Sequence, residues 1–175
     1  MKTYLNLFLI LLLTSCVEKK TASTEITKIN NLNESRQNNE VANTDEYATY
    51  YVIVTDTSFD YNILKSKMLK LNQLLKIPID TMGRYFNKKK NLIALPDNDK
   101  DQMYAGNYYP RRDPSENLSL EYLHFYQKKA RDKTIALVAG IYEREKSGDS
   151  ALTILARAKI KGFKIKSKIF IGCMH

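Results

Sequence analysis

The sequence predicts an α+β fold: a split βαβ (βαββαβ) sandwich, a four-stranded antiparallel sheet with two helices on one face, plus an inserted loop-helix segment. Three observations predict it. Residues 50–96 and 134–172 each read strand-helix-strand. The run TIALVAGIY is almost continuously apolar, as a central strand buried on both faces requires. The stretch FKIKSKIFIG alternates with period two, setting Phe163, Ile165, Ile169 and Ile171 against Lys164, Lys166, Lys168 and Phe170.

The elements follow in chain order. YYVIVTDTSF, from Tyr50, is rich in β-branched and aromatic residues and reads as a strand. Leu64, Met68, Leu71 and Leu75 then recur at helical spacing, with Asp60 as N-cap and Pro78 as terminator. TMGRYF and NLIALP read either as two strands around an NKKKN turn or as one long irregular strand. Residues 97–133 read as an insertion that begins as a loop and turns helical. Asp113-Pro114-Ser115-Glu116 offers it an N-cap, a Pro at the first helical position and an acid in the first turn. After the apolar strand, SGDSALTILARAKIKG reads as a helix with Ser147 as N-cap and Gly162 as the stop. The helices are expected to share one sheet face and leave the other free for a ligand.

The chain opens MKTYLNLFLILLLTSCVEKK. Lys2 and the amine form a positive head, and Leu5 to Leu13 is apolar except for Asn6. That run falls short of the roughly 18 residues of a spanning helix. A short apolar core between a basic head and small residues is a secretory signal. Leu13-Thr14-Ser15-Cys16 resembles a bacterial lipobox, in which the signal is cut before Cys and the Cys is lipidated, palmitate being a usual chain. The expected organisation is therefore a signal peptide at 1–15, a lipid-anchored flexible tether at 16–47 and a domain at 48–175, with its insertion at about 97–133. The segment after Cys16 is polar, Asn-rich and free of aromatics up to Glu46, so it cannot bury enough surface to offset its ordering. With Val17 and Glu18 after Cys16 and no acidic run, the expected location is the outer membrane, facing the periplasm.

The chain carries 28 Lys+Arg against 19 Asp+Glu, a net charge of +9. An exported basic protein meets anionic lipid head groups and cell-wall carboxylates rather than nucleic acid. The chain has two cysteines. If Cys16 carries lipid, Cys173 has no internal disulfide partner, so the fold rests on its apolar core.

YYVIVTDTSF resembles the first strand of a SPOR domain, usually Tyr-Val-Gln-Val-Gly-Ser-Phe, with Ile53 and Thr55-Asp56-Thr57 where that pattern has Gln and Gly. ALVAGIYEREKSGDSALTILARAKIKGF is similar to the second half of that family, through Val138, Gly140, Tyr142, Ala151, Leu155 and Gly162. The resemblance implies a βαββαβ module that binds peptidoglycan glycan stripped of its peptide stems, often on lipoproteins. Such a glycan exposes one lactyl carboxylate per disaccharide, which a basic sheet face would meet. It places candidate glycan contacts at Lys164, Lys166, Lys168, Phe170, Tyr51, Tyr109, Arg111 and Arg112. A second reading is an accessory envelope lipoprotein that uses the same fold for protein contacts.

Each feature also has a plainer reading. Lysines along an edge strand deter edge-to-edge pairing. Tyr104, Tyr108, Tyr109, Arg111 and Arg112 could stack on sugars or pack the inserted loop over the sheet. His124 lies at helical spacing from Glu121 and Gln127, as a surface or interface residue would. The end Gly172-Cys173-Met174-His175 carries soft donors but is too short to complete a metal site. The sequence holds no nucleophile-base-acid triad and no Gly-rich phosphate loop, so no catalytic residue, metal or cofactor is expected.

Overall fold

The computed structural model describes residues 46–172. The signal segment, Cys16, most of the tether, and Cys173 and His175 lie outside the described residues. The elements are β1 (Tyr47–Ser58), α1 (Tyr61–Leu75), β2 (Tyr85–Asn87), β3 (Leu92–Ala94), β4 (Ser119–Tyr122), β5 (Ile135–Tyr142), α2 (Glu145–Arg157) and β6 (Phe163–Phe170). The main sheet runs β4-β5-β1-β6, every neighbouring pair antiparallel. Leu64, Met68 and Leu71 of α1 and Leu155 of α2 pack in one cluster with Ile53, Leu120 and Leu137 of the sheet. Both helices thus lie on one face, and the expected fold class is observed.

The strand starts at Tyr47, earlier than Tyr50, and Val52, Ile53 and Val54 are fully buried at its centre. The cap of α1 is the expected one: the Asp60 carboxylate accepts from the backbone N–H of Asn62 at 2.7 Å and of Ile63 at 3.1 Å. Such a cap is worth about 1 kcal/mol. The helix ends where Lys76 turns left-handed, at φ 59°, two residues before Pro78.

TMGRYF and NLIALP do contain two strands, but β2 and β3 form a separate two-stranded ribbon. The second strand of the main sheet comes instead from the segment read as an insertion. Ser119–Tyr122 pairs with β5, placing Leu120 and Tyr122 on the helix side and Ser119 and Glu121 on the other. The helix expected after Asp113 does not form. Ser115 exchanges two backbone hydrogen bonds with Ile141, each 3.0 Å, and a 3-10 turn at Leu123–Phe125 is all the helix that follows. Long-range pairing with β5 outweighs a local start signal worth about 1 kcal/mol.

The helix α2 also departs from expectation. It starts at Glu145, with Arg144 in the cap position and no side-chain cap bond, so Ser147 is not its N-cap. Lys159, at φ 61°, makes the left-handed turn after it. Gly162 serves close packing instead: a Cβ there would lie 3.2 Å from Leu152 and 3.3 Å from Leu155 and the Val54 carbonyl oxygen.

Every residue from Ile135 to Ile141 is buried, because β5 is covered on both sides. Opposite the helices, Val52, Val54, Ala136, Val138 and Ile169 pack against Leu123, Tyr126 and Ala130. The face expected to be free is therefore covered at its centre by the chain between β4 and β5. The described domain thus stacks helices, sheet and this covering segment.

Candidate functional site

The aligned lysines lie on the wrong side for the expected site. Lys164 pairs with Ile53, Lys166 with Tyr51 and Lys168 with Thr49. Directly opposed residues share a face, and Ile53 belongs to the helix-side core. Alternation in FKIKSKIF separated two faces without saying which one the helices cover. Lys164 is held by α2: its ammonium donates to Glu145 at 2.8 Å and to Asp149 at 2.6 Å. Hydrogen bonding to Asp149 and then Glu145 raises its pKa. The ammonium also stands 5.6 Å from the centre of the Tyr51 ring. Lys164 and Tyr51 therefore serve the contact between α2 and the sheet.

The guanidinium of Arg111 is likewise committed inside the protein. It is 3% exposed. Its guanidinium donates to the Asn117 carbonyl at 2.8 Å, the Ser119 hydroxyl at 2.9 Å, and the Ser115 carbonyl and hydroxyl at 2.5 and 2.7 Å. Burial lowers its pKa, against the neighbouring Glu121 charge. Its carbonyl accepts from the Tyr126 hydroxyl at 2.9 Å, which fixes residues 110–112 over the sheet. Tyr109 stands beside Arg112, whose guanidinium donates to its hydroxyl at 3.1 Å and lies 5.6 Å from its ring centre.

Four of the eight candidates do come together, at the end of the sheet where β1 begins and β6 ends. A groove of about 310 Å³ is lined by Arg111, Arg112, Lys168 and Phe170, joined by Tyr47, His124, Phe125 and Lys128. Its size is at the lower end of the roughly 300–1,000 Å³ typical of small-ligand sites. Tyr47 and Phe170 meet edge to face at 5.3 Å, and Tyr47 and Phe125 are 48% and 43% exposed. Arg112 donates to the Gly172 carbonyl at 3.1 Å, which ties the two walls. His124 sits on a turn, not on a helix, with its ring 4.4 Å from that of Phe125. Among the buried side-chain polar atoms of the described residues, its Nδ1 is the one without a hydrogen-bond partner.

The sequence reading did not find what holds this groove in place. Arg84, 5% exposed, reaches Glu121, which is fully buried. Two parallel bonds join them, at 2.7 and 2.5 Å. Tyr108 donates its hydroxyl proton to the same carboxylate at 2.5 Å, and its oxygen accepts from the Tyr122 N–H at 3.2 Å. Arg84 also donates to the carbonyls of Tyr109 at 2.7 Å and Thr81 at 3.0 Å. Burial works to raise the Glu121 pKa, but the Arg84 hydrogen bonds and charge, with the Tyr108 and Ser119 hydroxyls, hold it below the usual carboxylate value. Burial, with the Glu121 charge, pushes Tyr108 well above the usual phenol range. The network clamps the 108–112 loop against β4 and so sets the groove wall at Arg112.

Compared with known families, curated proteins and solved structures, the chain matches no family model, no curated protein and no solved structure.

Proposed function

We propose that this chain is a lipid-anchored, non-catalytic binding module of the bacterial cell envelope that holds peptidoglycan glycan in the groove at the β1–β6 end. One observation carries the reading: the exposed rings of Tyr47 and Phe125 converge with Phe170 and the cations Arg112, Lys128 and Lys168. Aromatic faces stack on the apolar C–H faces of sugar rings, and cations pair with the lactyl carboxylates of a stripped glycan. Cys16 in the lipobox-like stretch would hold the chain on the outer membrane, facing the periplasm. The residues after it would span roughly 100 Å extended, or about 30 Å as a coil, enough to search the wall. No helix among the described residues is long and apolar enough to cross a membrane. The reading rests on the groove, the lipobox-like stretch and the SPOR-like pattern together.

The test is co-sedimentation with purified sacculi, before and after amidase treatment. Binding that rises with amidase treatment and falls on Phe125→Ala supports the proposal. Capture of a single envelope protein, with no retention on sacculi, replaces it by the accessory-protein reading.

A further inference from the structure

The strand β6 closes one side of the sheet, and among the described residues no strand pairs with its outer edge. Its register with β1 is continuous from Tyr47–Phe170 to Val54–Phe163. The Ile171 N–H donates to the Glu46 carbonyl at 2.7 Å, just beyond that ladder. Inward hydrogen bonding therefore falls on every second residue: Ile171, Ile169, Ser167, Ile165 and Phe163. Lys164, Lys166, Lys168 and Phe170 are left with N–H and C=O groups that point away from the sheet. The same residues that carry the charges thus carry the outward backbone groups. Lys166 and Lys168 are exposed and form no ion pair among the described residues.

We propose that the outer edge of β6 is a docking edge for an acidic, extended segment of a partner protein, which adds to the sheet as a further antiparallel or parallel strand. Main-chain hydrogen bonds supply affinity in such strand addition, and alternate side chains supply selectivity. Charge selects the occupant. A segment with carboxylates at positions i and i+2 would set them beside Lys166 and Lys168. A second copy of this chain is disfavoured: antiparallel pairing of two β6 edges centred on Lys166 would oppose Lys166 to itself and Lys164 to Lys168. The chain's own residues 17–45 also fit poorly, because their acids at Glu18, Glu25, Glu34, Glu40 and Asp45 are never two apart. The lysines that repel like edges leave this edge open to acidic ones. The edge shares Lys168 and Phe170 with the groove, but the inference rests on the outward backbone groups of β6 and not on the glycan reading.

The test uses the full chain in detergent and a synthetic peptide alternating Glu with Val, with amide exchange read by NMR. Saturating peptide is expected to slow the amides of Lys164, Lys166, Lys168 and Phe170 by about tenfold or more, and to leave Ile165, Ser167 and Ile169 unchanged. Replacing Glu by Gln in the peptide should weaken binding roughly two- to thirtyfold, the worth of two exposed ion pairs. Lys166→Pro removes an outward donor that β1 does not use, and edge strands tolerate Pro there. It should abolish the protection. A peptide N-methylated on its facing edge makes the same test with the protein unchanged. Three results would overturn the proposal: no slowing of those four amides at millimolar peptide, equal binding of the N-methylated peptide, or loss of protection on Phe125→Ala, which would place the peptide in the groove. Self-association through the same four amides, without peptide, would assign the edge to a second copy instead.

Discussion

Arg84 and Glu121, separated by 37 residues, meet side by side in the interior through two parallel hydrogen bonds. Their side chains are 2% and 0% exposed. Neither charge can reach water, so each depends on the other. Removing one partner of such a pair costs about 3–5 kcal/mol, because the survivor stays buried and unpaired. Arg84→Met and Glu121→Leu should each destabilise by about that amount in urea unfolding. The double variant should be more stable than the sum of the single losses implies. Strict additivity would show that the two charges do not stabilise one another.

The same pair predicts a pH dependence. The folded Glu121 pKa lies below its unfolded value, so its contribution is complete above about pH 4.3 and is lost as pH falls through the depressed folded value. Tyr108 is shifted the other way. Its contribution is present below about pH 10 and is lost as pH rises above that. Urea midpoints for the wild type should therefore fall at both extremes. Glu121→Gln should flatten the acid limb relative to wild type. An unchanged acid slope would mean that other carboxylates govern it.

How much of this was legible depended on the range of the interaction. The start of α1 was readable because Asp60 and its two acceptor bonds lie within three residues. The burial of β5 was readable because seven successive positions had to be apolar or small. Gly140 has a packing reason: a Cβ there would lie 2.7 Å from the Tyr142 ring, which folds back over it. The strand β4 was not readable. Asp113-Pro114-Ser115-Glu116 is a good helix start, and the reason to bury Glu121 lies at Arg84, far away in the chain. The face of the lysines was hidden for a related reason. Period two gives two faces, while the cover over the second one comes from Leu123, Tyr126 and Ala130. Of the candidate site, the residue types were found, and their grouping was not.

Cys16→Ala should abolish membrane retention, because thioether lipidation needs that sulfur. Folding should survive, since among the described residues the core is built from β1 onward. Fractionation of cells expressing each form, followed by a carbonate wash, makes the comparison. Persistence of the variant in the membrane pellet would remove the lipid anchor from the proposal.

The three lysines of β6 also have separable roles, and the groove can be tested against them. Lys164 is committed to Glu145 and Asp149, while Arg112 and Lys128 line the groove. Arg112→Gln with Lys128→Gln should weaken sacculus binding roughly two- to thirtyfold, if each exposed pair contributes about 0.2–1 kcal/mol. The wild type should lose affinity as salt screens those charges, and the double variant should show a shallower salt dependence. Lys164→Gln should leave sacculus binding unchanged and instead loosen α2, with faster amide exchange along Glu145–Arg157. The opposite pattern, weak binding in Lys164→Gln and full binding in the groove variant, would return the ligand to the lysine face that the sequence first suggested.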